Sequence, residues 1–158
     1  MNAVMSRIQL VCVLLFLVAL LAPSVIAAEH DMEVRNFTDT MIALTETLNA
    51  DFADREWDKE MTMWLPNAYL SLEGIPLVHG KEAIRQVNVT ADGQLKTITS
   101  EYIEVTPNEE GADYVYVLYT EKWHDQNGNL VGDKKCLVVW CNTDQGYKVA
   151  ILMVNSNV

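Results

Sequence analysis

Basic residues, cysteine, histidine and glycine are all scarce in this sequence, and each scarcity excludes a class of function. Eleven lysines and arginines stand against 22 aspartates and glutamates, giving a formal net charge of −11. A surface this acidic repels phosphate backbones and anionic headgroups, so neither nucleic acid nor a membrane surface is an expected partner. Three cysteines and three histidines leave no zinc-site spacing, and no metal is expected. The seven glycines form neither a phosphate-cradling loop nor a nucleophile elbow, and no cofactor is expected.

Long apolar runs are also missing, except at the start. Arg7 precedes an apolar stretch whose unbroken part, Leu10 to Ala22, is 13 residues. A membrane-spanning helix needs roughly 20. Small residues follow, with Val25 and Ala27, or Ile26 and Ala28, at the −3 and −1 positions. Residues 1–28 therefore read as a cleavable signal peptide, and the mature protein is expected to be secreted. Residues 29–158 are 130 in number and carry a net charge of −12 once Arg7 is removed. That is one domain, able to bury roughly two-thirds of its unfolded surface without a disulfide framework.

Cys136 and Cys141 lie five apart in one expected strand, hence on opposite faces and roughly 16 Å apart. A disulfide needs Cα atoms within about 7 Å, so two buried free thiols are expected. Asn36-Phe37-Thr38 and Asn88-Val89-Thr90 are glycosylation sequons, which mark Asn36 and Asn88 as expected surface acceptors in a suitable host.

Phe37, Met41, Leu44, Leu48 and Phe52 recur at helical spacing, with Asp39, Glu46, Thr47 and Asn49 on the other side. This predicts a helix over Met32–Phe52. A second helix is expected over Trp57–Leu65, stopped by Pro66, and a third over Lys81–Val87. Tyr69–Leu72 and Pro76–Val78 read as a small hairpin around Glu73-Gly74, and Asp92-Gly93 as a turn. Strands are expected over Thr97–Val105, Ala112–Trp123, Leu130–Cys141 and Tyr147–Val154. A type I′ turn at Asn127-Gly128 pairs Glu121 with Lys134 and Lys122 with Asp133. A three-residue loop, Asp144-Gln145-Gly146, pairs Val139 with Ile151 and Trp140 with Ala150. Two apolar sheet faces follow. One holds Tyr116, Leu118, Leu137, Val139, Val149 and Ile151; the other holds Val117, Tyr119, Cys136, Val138, Trp140 and Leu152. Helices can cover only one, so a homodimer through the other is expected.

The stretch Trp57-x-Lys59-x-Met61-x-x-Trp64-Leu65-Pro66-x-Ala68-Tyr69, then Gly74-x-Pro76-x-x-His79-Gly80-Lys81-Glu82-Ala83-Ile84, resembles the nuclear-transport-factor-2-like (NTF2-like) superfamily. The likeness is to its SnoaL-like, polyketide-cyclase branch and related domains of unknown function. Val138-Val139-Trp140, Gly146–Ile151 and Asn155-Ser156 resemble that branch's closing hairpin. The resemblance covers residues 32–157 and implies an α+β, cystatin-like cone: three N-terminal helices packed on a curved antiparallel sheet. Relatives of this kind often carry an acid at the position of Leu152, where leucine cannot act as a base.

The residues themselves offer few catalysts. His30 adjoins the cleavage site. His79 precedes the third helix, and Tyr69 lies in the small hairpin; both are weak acid–base candidates. His124 and Asp125 are strand neighbours, which point to opposite faces. Glu73, Glu101 and Glu104 read as solvated acids. Trp64, Tyr69, Tyr119, Trp140 and Leu152 are the expected ligand-contacting residues. The leading expectation is a secreted domain that binds a small hydrophobic ligand in an apolar cone without catalysis. The alternatives are an isomerase, dehydratase or cyclase acting on a hydrophobic polycyclic substrate, and a purely structural dimerisation module. A buried titratable group in the cavity would favour the enzyme.

Overall fold

A computed structural model describes residues 32, 34–90 and 95–157; the expected signal peptide, His30 and the Asp92-Gly93 turn lie outside the described residues. The unit Phe37–Val158 carries the features below. Helix α1 occupies 34–53. It is followed by α2, Trp57–Glu60, and a 3-10 turn, Met61–Met63. Strands β1, Trp64–Leu72, and β2, Val78–His79, precede α3, Lys81–Thr90. Four long strands close the chain: β3, Leu95–Thr106; β4, Tyr114–Asp125; β5, Leu130–Thr143; and β6, Gly146–Ser156. No helix among the described residues is long and apolar enough to cross a membrane.

All six strands form one curved, open sheet in the order β2-β1-β6-β5-β4-β3. The sheet is mixed rather than antiparallel throughout, because β1 runs parallel to β6. Pro66 does not stop a helix at Leu65; the helical segment ends at Met63, and Pro66 lies inside β1. It falls where the β1–β6 register jumps between Trp64 and Tyr69, so its missing N–H leaves no ladder bond unmade. Gly80, at φ 90°, turns β2 into α3 and donates its N–H to the Ala68 carbonyl at 2.8 Å.

The expected β4–β5 register is present, with Glu121 opposite Lys134 and Lys122 opposite Asp133. The turn that sets it differs. Gly128 has φ 80°, but Asn127 is not in the left-handed region, so the turn is not type I′. The Asp125 carboxylate instead accepts the Asn127 and Asn129 N–H groups, both at 2.8 Å, and Gly128 N–H bonds the Asp125 carbonyl. His124 then faces Leu130, and a bulge at Val131 restores the register at Trp123–Gly132.

In the β5–β6 hairpin Gly146 is left-handed, at φ 86°, and Val139 faces Ile151 as expected. Trp140, however, faces Val149 rather than Ala150. The extra residue, Ala150, is a bulge that moves Val149 to the other face. The inner face is thereby Val115, Val117, Tyr119, Cys136, Val138, Trp140 and Val149, each 1 % exposed or less. They join Met41 and Leu48 of α1 and Ile84 of α3 in one core cluster. The helices thus cover the Trp140 face.

Candidate functional site

The concave face of the sheet does not close completely on the helices. A cavity of about 160 Å³ remains. Helix α1 contributes Leu48, Asn49 and Phe52, and α3 contributes Val87 and Asn88. Glu60, Trp64, Leu70 and Leu72 come from α2 and β1, and Ile98, Tyr119, Glu121, Trp123, Leu152 and Val154 from the sheet.

Two carboxyl groups stand in this apolar wall: Glu60 is 1 % exposed and Glu121 3 %. Glu60 Oε1 accepts the Trp64 indole N–H at 3.1 Å and the Asn88 amide at 2.8 Å; the same amide reaches Oε2 at 3.1 Å. Those bonds favour the carboxylate, yet burial outweighs them and pushes its pKa from 4.5 up to about 7. Asp51, clamped by Lys59 at 2.5 Å, adds repulsion in the same direction. Glu121 Oε2 accepts the Trp123 indole N–H at 2.6 Å, and burial again raises its pKa. Lys134, its cross-strand neighbour, forms no ion pair with it; the ammonium sits 5.7 Å from the Trp123 ring. Tyr119 stacks on Tyr102, and its buried hydroxyl has no hydrogen-bond partner among the described residues. Burial and the Glu121 charge hold that phenol well above its usual pKa, so it stays a donor.

This arrangement has a consequence for stability. Glu60 binds its proton more tightly in the folded chain than in the unfolded one. Its contribution is therefore full below pH 4.5 and is lost as pH rises through about 7. At 1.36 kcal/mol per pH unit, the whole effect is about 3 kcal/mol. Urea unfolding at pH 4.5 and pH 8 should show the natural protein losing about that much more than Glu60→Gln. Parallel losses in the two proteins would show that Glu60 does not titrate this way.

No family model and no curated protein sequence matches the chain. Solved structures do. A ketosteroid isomerase-like protein from Erwinia carotovora atroseptica superposes with a TM-score of 0.62 at 15% identity, over 73% of this chain and 92% of the other. An NTF2-like protein with a cystatin-like fold from Novosphingobium aromaticivorans gives 0.60 at 11% identity, over 81% and 86%. A cystatin-like protein of unknown function from Nostoc punctiforme gives 0.62 at 8% identity, over 74% and 88%. This is the NTF2-like, cystatin-like fold. Identities this low carry the fold alone, and the α+β cone expected from the motifs is present.

Within the NTF2-like cone the residues singled out by sequence separate into two groups. Trp64, Tyr119 and Leu152 line the cavity. Trp140 is fully buried in the core without lining it, and its indole N–H has no partner among the described residues. Tyr69 and His79 are not in the cavity. They pair across β1 and β2 and stack at 4.4 Å on the opposite face, both exposed, because Tyr69 shares the strand row of Ile151. Asn88 is not a surface acceptor either. It is 5 % exposed, and a glycan on its amide nitrogen would displace both bonds to Glu60. Asn36 is exposed on α1. Cys136 lies inside with its thiol pKa raised by burial, and Cys141 is a half-buried free thiol in the outward row.

The sequence reading missed Glu60, Asn49 and Glu121. Glu60 lies one helical turn before Trp64, which makes their hydrogen bond a local event. Helical spacing assigns Asn49 to the wet side of α1, but it is 9 % exposed and donates to Ser100 Oγ at 3.1 Å. The hairpin register reads Glu121 as half of a cross-strand charge pair with Lys134. Strand parity places it in line with Val117 and Tyr119, and that alternation was the available clue.

Proposed function

We propose that this chain is an exported acid–base enzyme of the isomerase or dehydratase kind, working inside the cone. The observation behind the reading is the pair of buried carboxyl groups in an apolar cavity, where burial pushes the Glu60 pKa up to about 7. A purely storage-type pocket gains nothing from Glu60, whose ionised form costs stability in that place. A carboxyl with a pKa near 7 can take a proton from carbon and return it at ordinary pH. The wholly apolar cone expected of a carrier is not what lines this cavity. The likeness to a ketosteroid isomerase-like protein is consistent with proton transfer beside a carbonyl. The exported location rests on residues 1–28.

In this reading the Glu60 carboxylate removes a proton from the carbon next to a carbonyl. The C–H electron pair moves into a C=C bond, and the carbonyl oxygen takes up the charge under a hydrogen bond from the Tyr119 hydroxyl. Glu60, now a carboxylic acid, returns a proton to carbon. Burial raises the Glu121 pKa as well, which disfavours a second negative charge in the wall. The same reading assigns the outward sheet face to a second copy of the chain.

The test is proton exchange at carbon. Small neutral ketones are incubated with the protein in deuterated water, and loss of the α-proton is followed by NMR. The rate should exceed that in buffer and rise with pH along a titration centred near 7. A rate no greater than that in buffer at every pH would end the proposal.

A further inference from the structure

We infer that the cavity takes a neutral carbonyl compound of one-ring size, not a polycyclic one, with its oxygen seated on the Tyr119 hydroxyl. The choice of a carbonyl rests on the acid–base reading above; the size limit rests on the cavity alone. The space is about 160 Å³. An apolar cavity of about 150 Å³ holds one benzene ring. A polycyclic skeleton would have to continue beyond it, and the neighbouring space is unsuited to that. Among the described residues the adjoining hollow of about 310 Å³ shares only Asn49 and Ile98 with the cavity. Glu46, Asp54, Lys96 and Ser100 line that hollow, and the Asn49–Ser100 hydrogen bond ties α1 to β3 where the two meet. Hydrocarbon pushed through this point would break a buried hydrogen bond and lie against charge.

The polar groups set the rest of the ligand's chemistry. Tyr119 is fully buried, and its hydroxyl has no partner among the described residues. A buried donor left unsatisfied is unfavourable, and a carbonyl oxygen would satisfy it. Glu60 and Glu121 offer no welcome to an anion, so carboxylates and phosphates are excluded. Trp64 and Trp123 already donate to those carboxyls and are not available to a ligand oxygen.

A size series decides the matter. Cyclohexanone, 2-decalone and a four-ring steroid ketone are each titrated against the full mature chain by thermal shift, with methylenecyclohexane as the oxygen-free control. Cyclohexanone should raise the melting temperature saturably, and the steroid should not move it. Tyr119→Phe should weaken cyclohexanone about five-fold and leave methylenecyclohexane unchanged. Among the described residues Tyr119→Phe removes only the longer approaches of Asn49 and Glu121 to the hydroxyl, so loss of the fold is not expected to obscure the result. A saturable shift with 2-decalone or the steroid, whether or not cyclohexanone also binds, would overturn the size limit, with the exchange assay still deciding the acid–base reading. Unaltered cyclohexanone affinity in Tyr119→Phe would overturn the oxygen's placement. Cyclohexanone that binds as described but exchanges no proton would uphold the cavity's ligand class and defeat the acid–base reading. Failure of every probe to bind would overturn the inference outright.

Discussion

Replacing Glu60 with glutamine should lower the rate of α-proton exchange by about 10²–10⁴-fold, the range attributed to a positioned general base. The substitution preserves size and leaves a carbonyl oxygen to accept the Trp64 indole N–H now held at 3.1 Å. It removes the only feature that exchange requires of residue 60, a group that gains and loses a proton near neutrality. The fold should survive. At pH 8 the variant should be more stable than the natural protein, since the ionised carboxylate is the disfavoured form in this wall. Lower activity combined with higher stability is the result to look for in paired exchange and urea measurements. A variant that exchanges as fast as the natural protein would relieve Glu60 of the role.

Changing Ile151 to aspartate should abolish the proposed homodimer and leave a monomer. Ile151 lies in a row across the outward face with Tyr69, Val139 and Tyr116. The next row carries Ser71, Met153, Leu137 and Leu118. Tyr114 is 60% exposed and Met153 38%. No helix among the described residues packs on these rows, and an apolar patch of such breadth is unusual on a soluble monomer. A second copy related by a two-fold axis meets the same rows with itself, so each residue is covered by its counterpart. An interface of standard size buries roughly 800 Å² per partner. Two-fold symmetry also doubles the effect of a substitution. Each buried unpaired aspartate costs about 3–5 kcal/mol, so the dissociation constant should rise by at least about 10³-fold. Sedimentation at micromolar concentration should find a dimer for the natural chain and a monomer for Ile151→Asp, with unchanged circular dichroism. A natural chain that sediments as a monomer would refute the dimer. Val117 and Val138 are unsuitable for this test, because they are fully buried on the inner face.

Periodicity made the larger elements legible. Apolar spacing in α1, alternation in β4–β6 and turn residues near 127 and 146 lead to the observed elements and to most of their pairing. What they do not disclose is where one residue is inserted. The bulge at Ala150 moves Val149 inward, and the bulge at Val131 reconciles a different turn with the expected register. Neither Ala150 nor Val131 carries a residue type that announces a bulge. The parallel β1–β6 pair was hidden for another reason. Trp57 to Leu65 reads as one helix, whereas the helical segment ends at Met63 and Trp64 and Leu65 open a strand, in which Trp64 packs in the core and Pro66 fits a gap in the ladder.

The site was less legible than the fold. The proposed chemistry depends on polar residues that face inward, whereas a sequence reading assigns acids to solvent on a chain this acidic. Asn88 shows the difficulty best. As part of Asn88-Val89-Thr90 it reads as a surface marker, but on α3 it points at Glu60 and helps to hold a buried carboxyl in place. Tyr69 and His79, the conspicuous acid–base candidates, meet on the outward face because strand parity puts them there.

Glu60 is expected to change protonation near neutral pH inside an apolar cavity. Carbon-13 NMR of glutamate side-chain carboxyls, with Glu60→Gln used to identify the resonance, measures this directly. A midpoint near 7 for the Glu60 resonance is the predicted result. A midpoint near 4.5, the ordinary value for the residue, would contradict it.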